Sequence, residues 1–358
     1  RDALGTGQTI WSQGIIHGGL KYALGGQASA ASKAIRDMPE RWRQMLQGKT
    51  EPDLSNIQMR SHNCMIWADG STRSLAGLLG ARLALRTAPS LCPPTSRPAG
   101  LQKLSGRVLQ VSEPVMEPQS LLQTLGNRHA CRMIRGETSR IDQHEDRVSL
   151  HVDTSTRSID LDAGHLIITA GSGSADLASN FSRQNIRVQQ RPLRMVLAKG
   201  NLPILNGHCI RGTSPWLTIT TVADSSPTVW QIGGQVAESG CTCTTEETIK
   251  SAVNAVSLAL PHLDFQDVMW TTYDAPRTEL ATDDGGRPDL PGIAIDGRIR
   301  WGWPTKLALA PLLADQLSAE VTPQECNDDI LDLPRPDVAT PPWEEDRSWI
   351  TVHSAAPA

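Results

Sequence analysis

The chain has 358 residues, of which 39% are hydrophobic and 20% charged, a composition typical of globular proteins that excludes a disordered or collagen-like chain. Its 34 basic and 38 acidic residues give a formal net charge of −4, so the composition does not indicate a nucleic-acid-binding protein. No apolar run approaches the roughly 20 residues of a membrane-spanning helix. Seven irregularly spaced cysteines favour free thiols in a reducing, cytoplasmic compartment.

The first half of the chain predicts a glycine-rich loop, three helices and a group of strands. Seven glycines fall between residues 5 and 26, which is typical of a loop whose backbone lies close to a ligand. Apolar residues at helical spacing predict helices over 28–48, with a break at Pro39, and over 71–86. A third helix is predicted to begin at Pro118 and to stop at Gly126.

The second half of the chain is richer in strands. Alternation predicts a hairpin over 147–161, and the apolar run at 166–171 predicts a buried parallel strand that ends in a glycine turn. Thr- and Val-rich alternation predicts an antiparallel sheet within 186–236. A capped helix over 244–260, a short strand over 292–303 and a closing helix complete a mixed α/β layout.

Four segments carry a further signal in the order in which they occur. The chain opens with LGTGQTIWSQGIIHGGLKY from Leu4 and continues with IITAGSGS from Ile167, RPD from Arg287 and GWPTKLALAP from Gly302. Together these segments resemble FAD-dependent oxidoreductases of the D-amino-acid oxidase and glycerol-3-phosphate dehydrogenase-like family. In that family the first segment has the pattern G-x-x-x-S-x-G-(I/L)-(I/L)-H-x-G-x-x-Y, and the last is the strand, loop and helix that touch the flavin.

The resemblance implies FAD as cofactor and two domains that interleave along the chain. The Rossmann-like FAD-binding domain is expected to comprise 1–86, 132–180 and 276–322, and an antiparallel-sheet substrate domain 87–131 and 181–275, with 323–358 as a C-terminal extension. In the family, a βαβ unit with the motif G-x-G-x-x-G precedes a segment like the opening one. We therefore expect this sequence to be the C-terminal part of a longer protein, without that N-terminal unit.

The resemblance also implies where the site residues lie. His17 is expected beside the flavin, where it would orient the substrate or accept its proton, and Arg287 or Arg277 could bind a substrate carboxylate or phosphate. The helix after Lys306 is expected to direct its N-terminal N–H groups at the flavin. The residues expected to bind FAD are Gly7, Gln8, Thr9, Ser12, Gln13, Gly14, Ala170, Gly171, Gly302, Pro304, Thr305, Lys306 and Leu307.

Each of these assignments has a structural alternative. His17 could be a packing residue, Arg277 and Arg287 could be solvated loop residues, and Arg191 and Arg194 could either line the pocket or be strand-edge charges. We expect no metal site, because zinc needs four ligands close together and the cysteines offer only C-x-C.

The implied reaction is oxidation of a small CH–OH or CH–NH compound, such as an amino acid, a hydroxy acid or a polyol phosphate, by hydride transfer to FAD. The electron acceptor that reoxidises the flavin is left open among a quinone, another carrier and oxygen. Two alternatives remain from the sequence: an inactive relative that keeps the fold, and a binding module whose strand-rich middle uses Trp216 and Trp230 as contacts.

Overall fold

The computed structural model describes residues 3–18, 34–68, 89–182, 184–212, 214–319, 321 and 332–352. The helices among them are α1 (Met38–Leu46), α2 (Pro118–Arg128), α3 (Ser174–Phe181), α4 (Gln235–Ser239), α5 (Thr245–Ala259) and α6 (Ala310–Ser318). The strands are β1 (Ala3–Leu4), β2 (Met59–Ser61), β3 (Cys64–Ala68), β4 (Ser90–Leu91), β5 (Val108–Val111), β6 (Val115–Met116), β7 (Glu137–Gln143), β8 (Val148–Asp153), β9 (Ser158–Ala163), β10 (Leu166–Ile168), β11 (Val188–Arg191), β12 (Arg194–Gly200), β13 (Gly207–Arg211), β14 (Ser214–Thr221), β15 (Thr228–Gly233), β16 (Met269–Asp274), β17 (Arg277–Leu280), β18 (Gly292–Asp296), β19 (Ile299–Trp303), β20 (Asp337–Val338) and β21 (Ile350–Thr351).

These elements form two compact units, each assembled from three stretches of chain. The first unit comprises Arg1–Ser12, Gln119–Arg191 and Arg277–Thr340, and the second comprises Gln13–Pro118, Pro192–Pro276 and Pro341–Ala358. The domains predicted from the sequence were defined by their ligands, FAD for one and the substrate for the other. Which segments of the chain bind FAD and which bind the substrate stays a prediction.

A nine-stranded sheet dominates the second unit, in the order β21-β16-β12-β15-β14-β13-β3-β5-β4. Its central pairs are antiparallel, as the Thr- and Val-rich alternation predicted, whereas β13 and β3 run parallel. Helix α5 contacts β12 and β16, and its predicted capping box is present between Thr244 and Glu247. The core includes the fully buried Trp67, Trp230 and Trp270.

Several smaller sheets make up the first unit. Strands β7, β8 and β9 form an antiparallel sheet that contains the predicted hairpin, and β11 pairs with β17. Strand β10 runs parallel to β19, as predicted, while β18 and β19 are antiparallel. The prediction that β10 is wholly buried is wrong, because Ile167 is 39% exposed while Ile168 is buried.

Some predicted helix boundaries are also wrong. Residues 34–36 are helical, and α1 then begins at Met38 with Pro39 in its first turn, where the missing N–H of proline is not needed. Helix α2 continues through Gly126 to Arg128. The predicted helix over 71–86 lies wholly outside the described residues.

Candidate functional site

The segment that leads to His17 is fixed against a neighbouring stretch of the second unit. The amide of Met116 donates to the carbonyl of Gly14 over 3.0 Å, the amide of Ile16 donates to the carbonyl of Pro114 over 2.9 Å, and Ile15 forms a β-bridge with Val115. The side chains of Ile15 and Ile16 are buried. This pairing fixes the direction of the backbone that leads into His17.

A buried carboxylate lies beside that imidazole. Nδ1 of His17 is 3.6 Å from Oε2 of Glu113, whose side chain is 4% exposed, while the His17 side chain is 39% exposed. The other carboxylate oxygen, Oε1, accepts a hydrogen bond from the amide of Gly18 over 2.5 Å. Glu113 therefore contacts both the imidazole and the backbone of the next residue.

His208 approaches the same oxygen of the carboxylate as His17. Its Nε2 lies 4.0 Å from Oε2 of Glu113, and its Nδ1 lies 2.9 Å from Oγ1 of Thr218. The rings of His17 and His208 are 5.6 Å apart between centroids. Sequence reasoning singled out His17 alone in this cluster, since Glu113 lies 96 residues away in a segment with no motif.

Burial decides which of these groups carry charge. Burial, with a further contribution from the charge of His17, lowers the pKa of His208 to about 4, so this residue is neutral at pH 7. For Glu113, burial acts to raise the pKa, but His17, His208 and the Gly18 amide outweigh it, and the pKa is lowered. The carboxylate is therefore ionised inside the second unit, with His17 as its neighbouring base.

The same three side chains are the one group among the described residues whose donor atoms lie close enough together to suggest a metal site, within 4.8 Å of one another. Two ligands of a zinc ion about 2.1 Å away are separated by roughly 3.4 Å in tetrahedral geometry, so the 4.0 Å between Glu113 and His208 would have to shorten. The expectation that the protein holds no metal stays a prediction.

Gln13 is anchored to the large sheet. Its Nε2 donates to the carbonyl oxygens of Thr218 over 3.1 Å and of Gln231 over 3.0 Å. The side-chain amide thus ties the start of the His17 segment to β14 and β15. A contact between Gln13 and FAD stays a prediction.

In the first unit, the glycine-rich opening segment lies against β17. The backbone turns through bonds from Trp11 N to Gly7 O, at 3.1 Å, and from Ser12 N to Thr9 O, at 3.2 Å. Oε1 of Gln8 accepts a hydrogen bond from the amide of Thr278 over 3.2 Å. This bond places the opening segment next to the strand that begins with Arg277.

Strand β17 brings several predicted residues of the first unit together. It contacts both the 3₁₀ turn Gly171–Gly173, which follows Ala170, and strand β19, which contains Gly302. A β-carbon on Gly302 would lie 2.6 Å from Cδ1 of Leu317 in α6. Packing of α6 on β19 is therefore a sufficient reason for glycine at this position, whether or not FAD binds near it.

The loop after β19 contains a strained residue. Thr305 has a φ of +58°, which is unusual for a β-branched residue, and is 2% exposed. Its Oγ1 is buried and has no hydrogen-bond partner among the described residues, and the same is true of Oγ of Ser12. The amide of Lys306 donates to Pro304 O over 2.6 Å, and a 3₁₀ turn, Leu307–Leu309, leads into α6.

These features fit a group that accepts hydrogen bonds, such as the phosphates, ribose or flavin of FAD. A buried hydroxyl without a partner costs free energy unless a ligand or water satisfies it, and strain of this kind is concentrated at functional sites. The predicted contacts of Ser12 and Thr305 with FAD are compatible with these buried hydroxyl groups and stay predictions.

The arginines divide into two groups. Arg191 makes two hydrogen bonds with the buried Glu279, over 2.7 and 2.8 Å, and Arg194 pairs with Asp274 over 2.8 Å, which favours structural roles for both. Arg277 and Arg287 are half-buried in the first unit. Their roles in binding substrate stay predictions.

The tryptophans proposed for a binding module are core residues. Trp230 is fully buried and its Nε1 donates to the carbonyl of Pro203 over 2.8 Å, while Trp216 is 9% exposed and belongs to the same core cluster. Because both side chains are buried in the core, their interpretation as contacts of a binding module is wrong.

Comparisons with known proteins place the chain in a family. No family model matches it. The chain is 34% identical over 360 residues to a probable FAD-dependent oxidoreductase of Pseudomonas aeruginosa, covering 96% of this chain and 89% of the relative. The crystal structure of a Pseudomonas aeruginosa FAD-dependent oxidoreductase superposes with a TM-score of 0.78 at 31% identity, covering 96% of this chain and 88% of that one. The chain belongs to the FAD-dependent oxidoreductases.

More distant structures share the fold. Iminodiacetate oxidase from Chelativorans sp. BNC1 has a TM-score of 0.61 at 11% identity, covering 94% of this chain and 92% of that one. Glycerol-3-phosphate dehydrogenase from Bacillus halodurans, solved with FAD, has a TM-score of 0.52 at 10% identity, covering 92% of this chain and 60% of that one. These matches confirm the mixed α/β fold.

Family membership confirms the predictions that the protein is an enzyme and that its cofactor is FAD, and it does not favour the inactive alternative. No helix among the described residues has both the length and the apolarity needed to cross a membrane. A cytoplasmic location stays a prediction.

Proposed function

We propose that the protein oxidises a small CH–OH or CH–NH compound, with FAD as the hydride acceptor and His17 as the proton acceptor. The observation that carries the proposal is the half-exposed imidazole of His17, one nitrogen of which is backed by the buried carboxylate of Glu113. A base oriented in this way can accept a proton on its other nitrogen.

Removing a hydride from a CH–OH or CH–NH group also requires removal of a proton from the oxygen or nitrogen. Bound FAD supplies the two-electron oxidant. His17 receives the proton at Nε2, and the C–H electron pair leaves as hydride, so the substrate becomes a ketone or an imine. The ionised Glu113 stabilises the imidazolium that results, because opposite charges lie side by side in a largely buried setting.

The remaining predicted residues have binding roles in this proposal. The hydroxyl groups of Ser12 and Thr305 hydrogen-bond to FAD, which is supported by the buried oxygens that lack partners among the described residues. Arg277 and Arg287 bind a carboxylate or phosphate of the substrate, since guanidinium groups form paired hydrogen bonds with such anions. The substrate classes are therefore amino acids, hydroxy acids and polyol phosphates.

The test is anaerobic bleaching of the flavin absorption by members of these three substrate classes. We expect one class to bleach the flavin, and His17→Gln to slow that bleaching by about 10²- to 10⁴-fold while the affinity for FAD stays the same, because a general base contributes about that much to rate. His62→Gln, which changes an exposed histidine of the second unit, is the matched control and should react normally. Equal rates in the wild type and in His17→Gln would exclude His17 as the proton acceptor.

A further inference from the structure

Glu113 and His208 form a buried polar cluster beside His17. Glu113 and His208 lie on separate stretches of the second unit, both are buried, and each has an atom, Oε2 and Nε2 respectively, without a hydrogen-bond partner among the described residues. Buried polar atoms of this kind are uncommon and call for a functional or structural reason. Both atoms lie close to His17.

We infer that Glu113 is the positioning residue of His17: its carboxylate holds the neutral imidazole with the proton on Nδ1, which leaves the lone pair on Nε2 for the substrate. The inference rests on the proposed function, because the position of His17 matters to the reaction only if His17 accepts the proton. The arrangement itself is a property of the second unit and is measurable without substrate.

Both carboxylate oxygens of Glu113 make contacts that support this role. Oε1 accepts the Gly18 amide over 2.5 Å, which fixes the backbone directly after His17. Oε2 lies 3.6 Å from Nδ1, which is an ion-pair distance and longer than a hydrogen bond. Catalytic hydrogen bonds are often long before substrate binds and shorten in the complex, so the distance is compatible with a dyad that tightens during the reaction.

The charges around the imidazole select the tautomer. Among the described residues, Glu113 and His208 are the titratable groups beside His17, and His208 is neutral at pH 7 because burial lowers its pKa to about 4. The thiol of Cys64 lies in the field of Glu113 and is neutral as well, since burial and the carboxylate both raise its pKa. The ionised oxygen of Glu113 is thus the strongest acceptor facing Nδ1, and an N–H directed at it is favoured over a lone pair.

His208 keeps the arrangement rigid. Thr218 contacts its Nδ1 over 2.9 Å, and the neutral ring lies beside the same carboxylate oxygen, Oε2, that His17 approaches. A carboxylate flanked in this way is shielded from water, which strengthens its interaction with the imidazole. The exposed part of His17 is then the edge available for a substrate.

The experiment is ¹⁵N NMR of the full chain with ¹⁵N-labelled histidine, without FAD, at a pH of about 8.5, roughly two units above the ordinary pKa of histidine. His17→Gln identifies the signals of His17. We expect these signals to show a protonated Nδ1 and a bare Nε2, the reverse of the tautomer that free histidine prefers in water. A protonated Nε2 in the wild type would overturn the inference.

Variants extend the test. Glu113→Gln removes the charge but keeps an acceptor for Gly18, so the His17 signals should move towards a mixture of tautomers, and flavin reduction by substrate should slow by about tenfold or more, as when other tautomer-fixing carboxylates are lost. Glu113→Asp should restore part of both properties. Glu246→Gln, at an exposed site in the first turn of α5, is the matched control and should change neither. Unchanged His17 signals in Glu113→Gln would overturn the inference, and if that variant does not fold, the wild-type tautomer still decides it.

Two further outcomes are distinguishable. If one equivalent of Zn²⁺ shifts the signals of both His17 and His208, the cluster is a metal site and the inference is wrong. If the tautomer is as expected but no substrate class bleaches the flavin, the proposed function fails while the positioning of His17 by Glu113 stands.

Discussion

Gly14 lies so close to Met116 that a β-carbon on the glycine would be 1.9 Å from the carbonyl oxygen of the methionine. Gly14 also has a φ of +71°, and its own carbonyl accepts the amide of Met116 over 3.0 Å. Both features make glycine the residue that this position accepts. The close approach sets the path of the chain into His17, three residues later.

The first prediction concerns this contact. Gly14→Ala should lower the free energy of unfolding well beyond the effect of Gly212→Ala, which has a similar φ of +63° but open space around the added carbon. Left-handed strain alone costs about 1–2 kcal/mol, whereas Gly14→Ala must also displace a paired backbone. Thermal unfolding compares the two variants, and equal losses of stability would show that the approach to Met116 is not restrictive.

The second prediction concerns Thr305. Thr305→Gly should weaken FAD binding by about fivefold or more, since one hydrogen bond contributes about 1 kcal/mol. The free energy of unfolding without FAD should change by less than about 1 kcal/mol, because relief of the positive φ offsets the greater chain entropy of glycine. Fluorescence titration with FAD measures the affinity. Thr340→Gly, at an exposed position of the same unit, is the control, and an equal effect in both variants would refute a role for the Thr305 hydroxyl.

The third prediction concerns pH. His208 has a pKa of about 4 in the folded protein and about 6.5 in the unfolded chain, so both states are neutral at pH 7. As the pH falls below 6.5, the unfolded chain gains a proton that the folded protein does not, and the free energy of unfolding decreases. Between pH 7 and pH 5 this amounts to about 2 kcal/mol from this one group.

His208→Asn should remove that part of the pH dependence, whatever its effect on stability at pH 7. Denaturant unfolding at pH 7 and pH 5 measures the change in the free energy of unfolding between the two pH values. Both values lie above 4.5, the ordinary pKa of the Glu113 carboxyl group. His62→Asn, at an exposed position of the same unit, should leave the pH dependence unchanged. Parallel pH profiles for the wild type and His208→Asn would contradict the neutral state assigned to the buried ring.

Local patterns in the sequence were sufficient for many elements of the fold. The Thr244 and Glu247 capping box, the hairpin of β8 and β9 and the antiparallel pairs around β14 all follow from residues that are close together in the chain. Boundaries were less predictable: Gly126 does not end α2, because a glycine inside a helix costs only about 1 kcal/mol, which packing can offset.

The candidate site was only partly predictable. His17 lies in a motif, so the resemblance identifies it, whereas Glu113 has no sequence pattern that links it to a residue 96 positions away. The strain at Thr305 is likewise a property of the folded backbone. The burial of Trp216 and Trp230 depends on how the sheet packs, which alternation alone did not decide.

The most direct test of the account is the visible absorption spectrum of the purified protein after incubation with FAD and removal of unbound cofactor by gel filtration. We expect the flavin bands to elute with the protein and a substrate of one of the three classes to bleach them under anaerobic conditions. A colourless protein fraction, with all of the FAD recovered in the small-molecule fractions, would contradict the assignment of this chain as a flavin-binding oxidoreductase.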